Sequence, residues 1–152
     1  MIARVFPASQ GPLIRAVLNR LIPAGGGFPG AGDLDLLDHL DRAACSSAET
    51  RRMFVEGLRQ IGVESERRHA RGFEDLAAGE QDEVLRHVEG ERRAFFEALV
   101  SQVYQGYYSH PAVVRLLGLE ARPPQPLGHT LPPFDASLTH SIHQRGALYR
   151  QP

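Results

Sequence analysis

The most constraining feature of this sequence is an apolar stripe at helical spacing within residues 91 to 108. Its members follow the spacing i, i+4, i+7 and i+11, and they are Phe96, Val100, Val103 and Tyr107. Residues spaced in this way share one face of an α-helix. Comparable recurrences run through most of the first 119 residues, and no strand pattern is longer than a few residues. The sequence therefore predicts an all-α fold, a small bundle of about five to six helices.

Local signals mark the ends of the predicted helices. Candidate N-caps begin the first three helices, and they are Ser9, Asp33 and either Ser46 or Ser47. Glycine or proline marks the later boundaries at Gly72, Gly90 and Pro111. Between the first two helices, the run PAGGGFPGAG predicts a flexible loop. It has the glycines of a phosphate-binding loop without the preceding strand that makes such loops bind phosphate.

The sequence changes character at residue 120. The stretch EARPPQPLGHTLPPFDASLTH contains five prolines, which exclude a continuous helix or a central strand and favour an extended arm. The arm still carries apolar residues, among them Leu131, Phe134, Leu138 and Tyr149. A segment too rich in proline to build its own core must place these side chains on another surface. We therefore predict a helical domain over 1–119 and an extended C-terminal arm over 120–152 that wraps its own domain or a partner.

Composition limits the class of protein. The formal net charge of −1 argues against a general nucleic-acid binder, which normally has a strongly basic face. No apolar run approaches the roughly 20 residues that span a bilayer, so we expect no direct membrane insertion. The first residues resemble neither a signal peptide nor a twin-arginine motif. We expect a cytoplasmic protein, periplasmic only if a partner carries it there.

The candidate metal ligands and nucleophiles form weak motifs. Glu66 and His69 have the Glu-x-x-His spacing of di-iron bundles, but such sites need that motif twice plus two further carboxylates. His140 and His143 lie three apart in the arm, where no scaffold fixes their geometry. Cys45 is the only cysteine and is most simply a packed helical residue. We expect no catalytic, cofactor-binding or metal-binding residue in this chain.

Three of the four tyrosines crowd into the stretch QVYQGYYSHP at the end of the predicted fifth helix. Tyr107 continues the apolar stripe and is expected in the core. Tyr104 and Tyr108 lie four apart on another face, in line with Glu97 and Ser101, which predicts that they are exposed. Tyrosine offers apolar area with a polar tip, so this pair predicts a partner interface. The alternative, equally open, is that the proline-rich arm folds back over the pair.

Several blocks of the chain, in order, resemble the gluconate 2-dehydrogenase subunit 3 family. The first block, LNRLIPAGGGFPGAGDLDLLDHLDRA, is similar to the opening of that family: a helix ending in an Ile-Pro turn, a glycine-rich loop, and an acidic, leucine-rich helix. The central blocks FVEGLRQIG, FEDLAAGEQDEVLRHVE and FFEALVSQVYQGYYSHP follow, and their Gly-Tyr-Tyr-Ser pattern is the most specific piece. The tail PPFDASLTHSIHQRGALYR is similar to the arm of members that partner glucose-methanol-choline type oxidoreductases.

The resemblance implies an all-helical, non-catalytic small subunit that stabilises a large flavoprotein. FAD and the oxidation of a CH–OH group in a sugar, polyol or similar substrate are expected in that partner, and this chain is expected to hold no cofactor. The expected contacts with the partner are Tyr104, Tyr108, Leu131, Phe134, Leu138 and Tyr149. Two alternatives stay open: a stand-alone helical binding or chaperone module, and a helical metal-dependent enzyme.

Overall fold

The computed structural model describes residues 4–119, and the predicted arm, 120–152, lies outside them. Within the described residues the secondary structure is helical, with three short 3₁₀ turns and one isolated β-bridge. The α-helices are Gly11–Leu21 (α1), Leu37–Ala44 (α2), Ala48–His69 (α3), Ala78–Glu91 (α4), Arg93–Ser109 (α5) and Pro111–Leu116 (α6). The predicted all-α class is confirmed. None of these helices is both long and apolar enough to cross a membrane.

The helices surround one apolar core. Helix α3 packs against α2, α4 and α5, while α1 packs against the 3₁₀ turn Ala31–Asp33 and the turn Phe73–Asp75. The largest side chains that are fully buried come from every part of the described chain: Phe6, Ile14, Leu18, Leu40, Phe54, Leu58, Ile61, Phe73 and Leu99. The long helix α3 contributes the most of these, so it forms the centre of the bundle.

Helix α5 is present where the apolar stripe predicts it, but its buried face is rotated. Phe95 and Leu99 are buried, whereas Phe96 and Val100 of the predicted stripe are only half-buried. The rotation follows from α3, where the ring of Phe95 packs edge-on against Phe54, with centroids 5.9 Å apart. Phe95 also occupies the space that a side chain at Gly57 would fill. The two candidate stripes share their C-terminal half, so packing against α3 selects between them.

The predicted N-caps are right for one helix and wrong for two. Ser47 caps α3, because its Oγ accepts a hydrogen bond of 3.0 Å from the N–H of Thr50. Ser9 instead lies inside a 3₁₀ turn, and α1 begins two residues later. Asp33 ends another 3₁₀ turn, and α2 begins only at Leu37. In both failures a single turn of 3₁₀ helix takes the position that the sequence assigns to the first turn of an α-helix.

Two predicted helix ends are also displaced. Helix α3 ends at Ala70, whose φ of 52° places it in the left-handed region, rather than at Gly72. This position favours glycine, but alanine adopts it here. The boundary between α4 and α5 lies at Arg92, not at Gly90, which is still helical. Pro111 does begin α6, as predicted.

An N-terminal strap, residues 4–7, closes one side of the core. The side chain of Phe6 is completely buried. Asp41 of α2 holds the strap in place, since its Oδ1 accepts hydrogen bonds from the N–H groups of Val5 (3.0 Å) and Phe6 (3.1 Å). The strap therefore belongs to the folded domain although it precedes the first helix.

A buried carboxylate links α3 to α4. Glu64 is 5% exposed, and its Oε2 lies 2.6 Å from Nη2 of Arg67, 3.3 Å from Nε of Arg68 and 3.5 Å from Nε2 of His87. The hydrogen bond from Arg67 is the main reason that the pKa of Glu64 lies below its ordinary value, and Arg68 and His87 act in the same direction. The predicted pair of Glu64 and Arg68 is thus present, within a larger cluster.

Candidate partner-binding surface

The last turns of α5 expose two aromatic side chains, which we call the tyrosine surface. Tyr104 is 46% exposed and Tyr108 is 51% exposed. Their ring centroids are 5.9 Å apart, as expected for residues one helical turn apart. Glu97 and Ser101, on the same face, are exposed as well. The predicted exposure of this face is confirmed.

Tyr107 lies behind the tyrosine surface and is buried, with 3% of its surface exposed. Its ring packs edge-on against Tyr108, with centroids 5.2 Å apart and an interplanar angle of 85°. Its hydroxyl donates a hydrogen bond of 2.8 Å to the carbonyl oxygen of Pro29. Burial, and next the neighbouring Tyr108, raise the pKa of Tyr107 above its ordinary value, so its hydroxyl keeps its proton and remains a donor at neutral pH.

A glycine lets α5 approach α2 beside this surface. Gly106 is buried, and a Cβ atom at this position would lie 3.0 Å from Cδ2 of His39 and 3.4 Å from Cδ2 of Leu36. Both neighbours belong to α2 or its N-cap. Contacts at these distances are tighter than ordinary van der Waals contacts. Gly106 therefore sets the spacing between the two helices that support the tyrosines.

The structure adds a second exposed apolar group that the sequence analysis missed. Leu116, Leu117 and Leu119 are 52%, 45% and 62% exposed, at the end of α6 and just beyond it. Among the described residues, five of the six most exposed large apolar side chains lie between 104 and 119. Clustered exposed apolar side chains mark interaction sites more often than scattered ones do. The available signal was the run LLGL, which is too apolar for the exposed end of a six-residue helix.

The other predicted contact residues lie in the arm. Leu131, Phe134, Leu138 and Tyr149 are outside the described residues. Their contact with a partner therefore stays a prediction, as does the division of the chain into a domain and an arm.

The candidate reactive residues are separated in the fold. Cys45 is exposed at the end of α2, rather than packed as expected, and Nη2 of Arg51 lies 3.6 Å from its Sγ. Glu66 is exposed, whereas His69 is mostly buried, with its Nδ1 3.6 Å from Oε1 of Glu80. Within residues 4–119, no three His, Cys, Asp or Glu side chains are close enough together to hold a metal ion. His140 and His143 lie outside the described residues.

The run PAGGGFPGAG forms a hydrogen-bonded hairpin rather than the flexible loop that its composition predicts. Gly25 and Phe28 exchange both backbone hydrogen bonds, N–H to O, at 3.1 and 2.9 Å. Gly26 and Gly27, between them, have φ values of 58° and 85°, which only glycine adopts readily. Because two of its N–H groups are bonded within the hairpin, the run does not have the free N–H cradle that holds a dinucleotide phosphate. The residues described here therefore do not fit FAD.

Comparison with known proteins gives one clear relationship. The family model described as gluconate 2-dehydrogenase subunit 3 matches residues 8–119. No curated protein and no solved structure matches the chain. The matched range holds all six α-helices, the hairpin and the tyrosine surface. The chain belongs to the gluconate 2-dehydrogenase subunit 3 family, whose members are accessory subunits of dehydrogenases.

Proposed function

We propose that this chain is the small, non-catalytic subunit of an FAD-dependent oxidoreductase that acts on CH–OH groups of a sugar, polyol or similar substrate. The family match over residues 8–119 carries the proposal. In this proposal a large subunit, of the glucose-methanol-choline type, binds FAD and transfers hydride from the substrate to the flavin. The complex is cytoplasmic, which fractionation of cells that express both subunits would test.

The role of this chain is to stabilise the large subunit by burying apolar surface against it. The support is the concentration of exposed apolar side chains near the end of the described domain, with Tyr104 and Tyr108 at its centre. Buried interface tyrosines are often binding hot spots, which cost about 2 kcal/mol or more when truncated. The leucines after α6 add further apolar area close in sequence. We propose that Leu131, Phe134, Leu138 and Tyr149 of the arm extend the same contact.

Co-expression tests this function. A tag on this chain would be used to purify it together with the flavoprotein encoded beside it, and an absorbance spectrum would be recorded. We expect a yellow complex in which both chains are present and the flavin bands are visible. A colourless monomer, obtained although the flavoprotein is also soluble, would contradict the proposal and favour a stand-alone binding module. Stoichiometric iron in the purified chain would instead favour a helical metal-dependent enzyme.

A further inference from the structure

The hairpin at residues 23–30 presents a small uncharged apex. Residues 23 to 27 are all exposed, and their sequence, PAGGG, contains no charged side chain and nothing larger than proline. The turn at Gly26 and Gly27 has the positive φ angles of a two-residue hairpin. The apex is therefore a narrow projection whose surface consists largely of backbone.

The base of the hairpin is fixed to α1. The N–H of Ala31 donates to the carbonyl of Ile22 at 2.9 Å, which closes the base. Asn19 of α1 accepts a hydrogen bond of 2.7 Å from the N–H of Gly32, and Nε of Arg15 donates to the Gly32 carbonyl at 3.2 Å. These bonds hold both ends of the hairpin, so it has little conformational freedom to lose on binding.

Tyr107 joins the hairpin to the tyrosine surface. Its hydroxyl holds the carbonyl of Pro29 in the hairpin, while its ring packs against the ring of Tyr108. Pro29 is therefore separated from Tyr108 by one side chain. The two exposed features lie at the same part of the domain and share a buried support.

We propose that the hairpin and the tyrosine surface form one continuous binding surface for the same partner, with Tyr107 as the positioning residue between them. The partner would offer a narrow, uncharged cleft for the hairpin apex, because an uncharged apex gives no return for desolvating a charged cleft. This inference rests on the proposed function, since it takes the large flavoprotein subunit as the partner.

A bulky substitution at the apex tests the inference directly. Gly25 has no positive φ, and a Cβ atom there would meet nothing within 4 Å, so Gly25→Arg leaves the domain folded. We expect affinity for the flavoprotein subunit, measured by titration of the purified chains, to fall at least tenfold. Gly90→Arg is the matched control, because a Cβ atom at Gly90, on α4, also meets nothing within 4 Å. It should bind like the wild type.

A second variant tests the positioning role of Tyr107. Tyr107→Phe removes the hydrogen bond to Pro29 and keeps the ring that packs on Tyr108. We expect a several-fold loss of affinity in the wild-type background and no further loss in the Gly25→Arg background, because the hairpin then no longer contributes. A purely structural role would give the same loss in both backgrounds.

The outcomes separate this inference from the function on which it rests. If the wild-type chain does not bind the flavoprotein, the proposed function fails. If the wild type binds and Gly25→Arg binds equally well, the hairpin is outside the interface and the inference is wrong. Equal losses in Gly25→Arg and Gly90→Arg would also overturn it, because the effect would then not be specific to the hairpin.

Discussion

At the scale of single residues, the glycines show how packing overrides local preference. Gly57 and Gly79 are both helical, and in both the intrinsic preference favours alanine. A Cβ atom at Gly57 would overlap the ring of Phe95, whereas one at Gly79 would meet nothing within 4 Å. The sequence alone could not distinguish them, because the difference depends on which face of α5 turns toward α3.

This difference predicts opposite effects of the same substitution. Gly57→Ala should destabilise the domain by about 1–3 kcal/mol, since the buried ring of Phe95 has no room to move. Gly79→Ala should stabilise it by about 0.5 kcal/mol, through the lower entropy of the unfolded chain. Urea denaturation followed by circular dichroism measures both. A Gly57→Ala variant as stable as the wild type would show that α5 can shift away from α3.

At the scale of elements, the pattern of apolar residues predicted the helices better than it predicted their ends. The existence of α3 and α5 followed from long, regular stripes, because burial along a whole helix face leaves a repeated signal. The start of α2 was missed because the 3₁₀ turn at Ala31–Asp33 precedes it, and its hydrogen bonds leave no such repeat. The exposure of Tyr104 and Tyr108 was predictable from helical geometry. The anchoring of Tyr107 to Pro29 was not, since these residues are 78 positions apart.

The cluster around Glu64 predicts how the contact between α3 and α4 depends on pH. The pKa of Glu64 is lower in the folded chain, so its contribution to stability is present above its unfolded pKa of about 4.3 and is lost as the pH falls through the folded value. Glu64→Gln should therefore lower the melting temperature at pH 7 and change it little at pH 3. The exposed Glu66 supplies the control, as Glu66→Gln should have little effect at either pH. A Glu64→Gln deficit of equal size at both pH values would argue against this role of the carboxylate.

At the scale of the whole molecule, the tyrosine surface predicts that binding and folding can be separated. Replacing Tyr104 and Tyr108 together with alanine removes exposed area and no core contact. The double variant should lose affinity for the flavoprotein subunit by at least tenfold and keep its helix content in circular dichroism. Val63→Ala is a suitable control, because Val63 is 43% exposed on α3. Unchanged association of the double variant would show that the interface lies elsewhere.

The N-terminal strap separates the boundary of the family match from the boundary of the folding unit. The match begins at residue 8, but the aromatic ring at position 6 is fully enclosed and both of its neighbouring backbone donors are held by Asp41. A gene trimmed to the matched range would thus encode a domain with a hole the size of a phenyl ring and an unsatisfied internal carboxylate. For expression work, a recombinant version should start upstream of Arg4, and a purification tag is better separated from the strap by a linker.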